Sequence, residues 1–296
     1  MDEEQRLARR AALARKYRRR RTTALGMLAA AVLLATLVVS QSGPGPPPRG
    51  PAESAASVPA PRGAEARRLA AADVAIDRVL GYTSYVSRGA KARKQVALTF
   101  DDGPGPTTPA LLNYLVANGV PATFFLVGKA IGEHPGIVRR ESDAGFTLGT
   151  HTESHARLGS LTRDEQEQEI LGSADRITRF TGHAVRMFRP PYGSFDAHTL
   201  SILHAERMIM VLWSVDPRDY ASKRAAPIIY AAVSGARSGS IILLHDGPGP
   251  RPQTLAAVRR IVTTLRSRGF RLVSLPKLLR DDPPRHDQPL PRSLSG

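Results

Sequence analysis

At 296 residues and 42% hydrophobic content, the chain has enough apolar material for a buried core and too little for a multi-span membrane protein. It has no cysteine, which excludes disulfides, thiol catalysis and cysteine-ligated zinc, so any metal must be held by His, Asp or Glu. The formal charge of +16 would suit a polyanion partner, and its placement along the chain decides whether it does.

Residues 1–21 hold nine bases and three acids, among them Lys16 and Arg18 to Arg21, and run into eighteen uncharged residues, Thr22–Val39. As a helix that stretch would be about 27 Å long, close to the roughly 30 Å of a bilayer's hydrocarbon core. Dense bases before it and few after it predict a transmembrane signal-anchor helix over 22–39 with segment 1–21 cytoplasmic. The rest of the chain is then expected outside the cell membrane, or secreted if the apolar stretch is a cleaved signal peptide. The basic run next to an apolar helix reads as an orientation signal, and no nucleic-acid partner is expected.

Residues 40–63 carry seven prolines and four glycines and predict a disordered, extended linker. Segment 64–91 begins with an amphipathic helix, Ala64–Leu80, offering Leu69, Val74, Ile76 and Leu80 to a neighbour. The tail 281–296, rich in proline and charge, is expected to be disordered.

Between these flanks the pattern alternates. Apolar, β-branched runs recur at Gln95–Phe100, Ala122–Val127, Thr147–His151, Met187–Pro191, Met208–Val215, Ser240–His245 and Arg271–Leu275. Helical stretches separate them: Thr108–Asn118, His134–Ala144, Thr162–Phe180, Asp196–Glu206, Ala225–Val233 and Gln253–Arg268. Thr162 with Glu165 has capping-box spacing. Seven strands separated by helices predict parallel pairing.

Five strands end in polar groups: Asp101 and Asp102, His151 and His155, Arg189, Asp216 and Asp219, His245 and Asp246. A closed α/β barrel gathers all strand ends at one rim, whereas an open sheet offers one crevice. The fold class is therefore α/β, an incomplete (β/α) barrel of about seven parallel strands over 92–280.

Five segments, in order, resemble the motifs of the polysaccharide deacetylases, the NodB-homology enzymes of the fourth carbohydrate esterase family. They are Thr99-Phe100-Asp101-Asp102-Gly103-Pro104, His151-Thr152-Glu153-Ser154-His155, Arg189-Pro190-Pro191-Tyr192-Gly193, Asp216-Pro217-Arg218-Asp219-Tyr220 and Leu243-Leu244-His245-Asp246. Tyr220 departs from the pattern, standing where the family usually has Trp.

The residues argue for hydrolysis on their own. A carboxylate with two imidazoles leaves a coordination position open for water, as hydrolytic zinc sites require, and Asp102, His151 and His155 fit it. The same trio suits a non-haem iron oxygenase, so ligand type alone leaves the metal open. Asp101, expected to point away from Asp102 by strand alternation, can take a proton from water activated there, and His245, across the rim, can protonate the leaving nitrogen.

The resemblance implies the same roles and adds others. Arg189 would keep Asp101 ionised, Asp219 would keep His245 protonated, and the Tyr192 backbone N–H would stabilise the oxyanion. It implies a divalent cofactor, zinc with cobalt as an alternative, and removal of N-acetyl groups from peptidoglycan, chitin oligomers or an exopolysaccharide by a monomer. Tyr192, Trp213 and Tyr220 are expected to line the sugar groove, Trp213 being equally suited to the core.

Each residue also has a plainer reading. Asp101 to Pro104 and His245 to Pro248 could be turns, and Asp246 is read as turn punctuation. His134, His183, His198, His204 and His286 are read as structural or exposed, and Met208 and Met210 as packing. A wall-binding protein with a weak site, or a hydrolase of O-acetyl esters or small amides, are the rival functions.

Overall fold

The structure, a computed structural model, describes residues 63–288. The basic segment 1–21, the apolar stretch 22–39 and the linker through 62 lie outside the described residues. Among those described, no helix is long and apolar enough to cross a membrane.

The order is α1 (Ala64–Leu80), β1 (Tyr85–Val86), β2 (Gln95–Asp101), α2 (Thr108–Ala117), β3 (Thr123–Leu126), α3 (Gly128–Glu133), α4 (Pro135–Asp143), β4 (Thr147–Thr150), α5 (Arg163–Thr181) and β5 (Met187–Phe188). It continues with α6 (Ala197–Ala205), β6 (Ile209–Val211), α7 (Ala225–Gly235), β7 (Ser240–His245), α8 (Pro252–Ser267), β8 (Arg271–Val273) and α9 (Leu275–Asp281).

The strands lie in the order β1-β6-β5-β4-β3-β2-β7, with β8 beside β2, and every ladder is parallel. Every residue of β2 and β7 is buried, as expected of parallel strands covered on both faces. Single bridges, Arg88 to Ser240 and Val215 to Ile242, join the two ends of the sheet, so the barrel closes only in part.

Among the described residues eight strands form where seven were expected. The eighth is β1, whose two residues are too few to show alternation. The run expected over Met208–Val215 narrows to Ile209–Val211, because the carbonyls of Val211 and Leu212 turn to the Arg189 guanidinium. The six-residue α3 and seven-residue α9 were not predicted, being too short to establish a helical period. The capping box on α5 forms, with the Thr162 N–H donating to the Glu165 carboxylate at 2.8 Å.

Two expectations at the flanks are corrected. On α1 the packed residues are Ala75, Ile76 and Val79, while Val74 is 70% exposed. On the same helix Arg186 pairs with Asp73 and Asp77, and Arg207 with Asp77 at 2.6 Å. The tail expected to be disordered from Asp281 is held as far as Gln288. Asp282 accepts the N–H groups of Lys91 and Ala92, and the Gln288 side chain accepts the Ser87 N–H.

Candidate active site

Because all strands run the same way, their C-terminal ends carry the predicted polar groups to one end of the sheet. Asp101 closes β2 and His245 closes β7, and the two are register partners in adjacent strands. His245 is therefore beside Asp101 and not across the rim, because the chain crosses back to lay β7 against β2.

Asp101 is buried, and its Oδ1 accepts from Arg189 Nη1 at 2.6 Å. Arg189 is also fully buried and donates to Thr99 Oγ1 and to the carbonyls of Val211 and Leu212. Its guanidinium lies 4.2 Å from the Phe125 ring centroid. The second oxygen of Asp101 lies 3.7 Å from His151 Nε2.

Asp102 leaves the strand at φ 70°. This left-handed residue breaks the expected alternation and returns its carboxylate to the same side, with Oδ1 at 3.5 Å from His151 Nε2 and 3.0 Å from His155 Nε2. His151 donates Nδ1–H to the Arg189 carbonyl at 2.7 Å. A carbonyl can only accept, so the proton sits on Nδ1 and the Nε2 lone pair faces Asp102. Burial lowers the His151 pKa, favouring the neutral ligand form. Burial alone would raise the Asp102 carboxyl, but the His155 and His151 imidazoles outweigh it and hold it at about 2.

One atom from each of Asp102, His151 and His155 lies within 4.8 Å of the others. Asp102 Oδ1 is buried and has no hydrogen-bond partner. A buried carboxylate oxygen with no hydrogen-bond donor, set beside two imidazole nitrogens, is a donor set that fits a divalent ion.

Asp219 is fully buried and accepts from His245 Nδ1 at 2.7 Å, from the His245 backbone N–H at 2.9 Å and from Thr254 Oγ1 at 2.8 Å. Desolvation would lower the His245 pKa, but the bond to Asp219 and the charges of Asp219, Asp102 and Asp101 raise it to about 9. An imidazolium thus stands beside the ion-paired Asp101.

The aromatic residues divide. Tyr192, at φ 59° and 47% exposed, sets its ring edge to His155 at 4.8 Å and carries Arg157 over it at 4.5 Å. Tyr220 is 45% exposed and meets the His245 ring edge-on at 5.2 Å, with its hydroxyl 3.4 Å from Asp216. Trp213 is only 6% exposed, beneath the Arg189 guanidinium at 5.9 Å, which is the core side of its two readings.

Asp246 is more than turn punctuation. It is fully buried, donates its N–H to the Asp101 carbonyl at 3.1 Å, and accepts from Thr108 Oγ1. A Cβ on Gly103 would collide with its carboxylate, so Asp246 packs directly beneath the Asp101-Asp102-Gly103 turn. Burial, with the charges of Asp102 and Asp101, pushes it to about 7. The repeated Asp-Gly-Pro after Asp101 and after His245 was the sequence signal for it. Thr99 stood in the first motif without a role, and nothing in the sequence pointed to Thr254.

The polysaccharide deacetylase family model matches residues 88–209. The chain is 37% identical over 211 residues to a chitooligosaccharide deacetylase of Azorhizobium caulinodans, covering 67% of this chain and 99% of that protein. It is 35% identical over 197 residues to a peptidoglycan-N-acetylglucosamine deacetylase of Bacillus cereus, covering 66% and 72%. A crystal structure of a peptidoglycan N-acetylglucosamine deacetylase superposes with a TM-score of 0.65 at 34% identity, over 68% of this chain and 95% of that one.

Proposed function

We propose that this chain, which belongs to the polysaccharide deacetylase family, hydrolyses the N-acetyl amide of N-acetylglucosamine units in peptidoglycan and releases acetate. The observation that carries the reading is the convergence of Asp102, His151 and His155, with a buried carboxylate oxygen unpaired between two imidazole nitrogens. Those three side chains would hold a divalent ion, zinc as the family resemblance implies. When bound, such an ion would lower the pKa of a water and polarise the amide carbonyl.

The chain's own residues supply the proton transfers. Asp101 is the general base: Arg189 occupies Oδ1, so Oδ2 takes the proton of the attacking water. His245, charged at neutral pH beside Asp219, is the general acid that protonates the leaving nitrogen through Nε2. Base and acid thus begin in opposite protonation states at neighbouring strand ends. The Tyr192 backbone N–H is assigned to the developing oxyanion, and Tyr192 and Tyr220 to the walls of the sugar groove.

Peptidoglycan is preferred over chitin oligomers because the sequence predicts an extracytoplasmic domain on a short tether from a single-pass membrane helix, acting as a monomer. The test is mass spectrometry of cell-wall fragments treated with the purified protein, with and without chelator. Loss of acetyl mass from glucosamine, abolished by chelation and restored by zinc or cobalt, is expected. Acetate release from O-acetylated but not N-acetylated glycans would move the reading to an esterase, and binding without release to a wall-binding protein.

A further inference from the structure

The loop between the two imidazoles has a backbone that its residue types disfavour. Thr152 and His155 lie at φ 67° and 61°. Non-glycine residues are crowded there, β-branched threonine above all. Such a conformation persists where its surroundings over-determine it. Here the holding contacts come from outside the ligand set.

On one side the first turn of α3 receives the loop: the Gly128 N–H donates to the Thr152 carbonyl and the Lys129 N–H to the Glu153 carbonyl, each at 2.9 Å. On the other side stands α5. Its Glu169 accepts the Ser154 N–H at 2.8 Å and the Ser154 hydroxyl at 2.7 Å. Its Arg176 grips the Glu153 carboxylate through Nε and Nη2 at 2.8–3.0 Å. Glu169 and Arg176 are seven residues apart and so share one face of the helix. The Glu153 side chain reaches Arg176 past two glycines. A Cβ on Gly128 would collide with the Glu153 carboxylate, and one on Gly172 would sit 3.4 Å from it.

We propose that Glu169 and Arg176 are positioning residues that hold the His151–His155 loop in its metal-binding shape. Neither touches the three ligand atoms. Glu169 acts through Ser154, the neighbour of His155, and Arg176 through Glu153. Outer contacts that orient ligands typically account for about 10- to 100-fold in metal affinity. The inference rests on the metal site proposed above.

The test is calorimetric titration of zinc into the chelator-stripped protein, for wild type, Glu169→Ala, Arg176→Ala, Glu169→Gln and Ser154→Ala. Glu169→Ala and Arg176→Ala are expected to weaken zinc binding by about 10- to 100-fold. Glu169→Gln, whose amide can remake both bonds to Ser154, is expected close to wild type, and Ser154→Ala, which keeps the N–H bond, in between. Melting temperatures of the stripped proteins should stay near wild type, because α5 remains anchored by Ile170, Leu171, Ala174 and Ile177.

Zinc binding by Glu169→Ala indistinguishable from wild type overturns the inference, as does Glu169→Gln losing as much as Glu169→Ala. If Glu169→Ala does not fold, unchanged binding in Ser154→Ala overturns it. A wild-type protein that binds no divalent ion overturns the metal site itself, a failure distinct from that of the clamp.

Discussion

Asp219 holds His245 at two points, accepting its backbone N–H at 2.9 Å and its ring Nδ1–H at 2.7 Å. The ring's orientation and its charge therefore come from one carboxylate. Replacing it tests both.

In Asp219→Asn the largest influence raising the His245 pKa from 6.5 toward about 9 is lost. The alkaline limb of the kcat/KM profile should move to lower pH by about one unit or more. Stability follows the same sign. A raised pKa contributes fully below pH 6.5 and is lost as pH rises through about 9, so the stripped variant should melt lower than wild type at pH 6, by a margin that narrows as pH rises through about 9. An unmoved alkaline limb would take the acid role from His245.

Asp101→Asn should lower kcat by about 10²- to 10⁴-fold, the usual worth of a positioned base. Zinc affinity should persist, since Asp101 is outside the ligand trio. The melting temperature should also fall, because the fully buried Arg189 loses its counter-charge. Activity close to wild type with zinc bound would remove Asp101 from the mechanism.

Glu141 on α4 is buried with neither carboxylate oxygen paired, and burial together with the Asp246 charge pushes its pKa well above 4.5. Its ionisation opposes folding, so this cost is absent below pH 4.5 and grows as pH rises above it. Glu141→Met should stabilise the protein at neutral pH by about 1–3 kcal/mol, the cost of a buried unsatisfied group. Denaturation across pH checks it: a gain that failed to grow from pH 4 to 7 would contradict the assignment.

Asp282→Ala should destabilise by about 2–3 kcal/mol, because two buried-side charge-assisted bonds from Lys91 and Ala92 are lost together. Deleting residues 282–296 should cost at least as much, since the contacts of Gln288 with Ser87 and Tyr85 go as well. Thermal melting measures both, and a deletion that melts with wild type would show these tail contacts to be dispensable.

The ionisable residues of the site were legible because each motif follows a strand, and strand ends in a parallel fold converge whatever their separation in sequence. Their relative placement was less so. Strand order put His245 beside Asp101, and the left-handed turn at Asp102 brought two adjacent carboxylates to one side, and neither follows from alternation. Val74 shows the same limit on α1, where the packed face runs through Ala75, Ile76 and Val79 and leaves Val74 exposed. Asp246 was seen but read as a turn, and Glu169 was hidden, because an acid looks alike in a turn, on a helix face or beneath a loop until its partner is known.

Arg189 spends its guanidinium on Thr99, Asp101, Val211 and Leu212, and its carbonyl on His151. The same residue thus fixes the carboxylate proposed as base, one imidazole of the proposed metal trio and the path of β6. An evolving copy of this chain could not discard either member of the Asp101–Arg189 pair without stranding the other's charge in the interior. His155 keeps 28% of its side chain exposed and could be replaced with little harm to packing. Descendants that stay folded while giving up catalysis should therefore be found altered at His155 first, with the buried pair left intact as a relic.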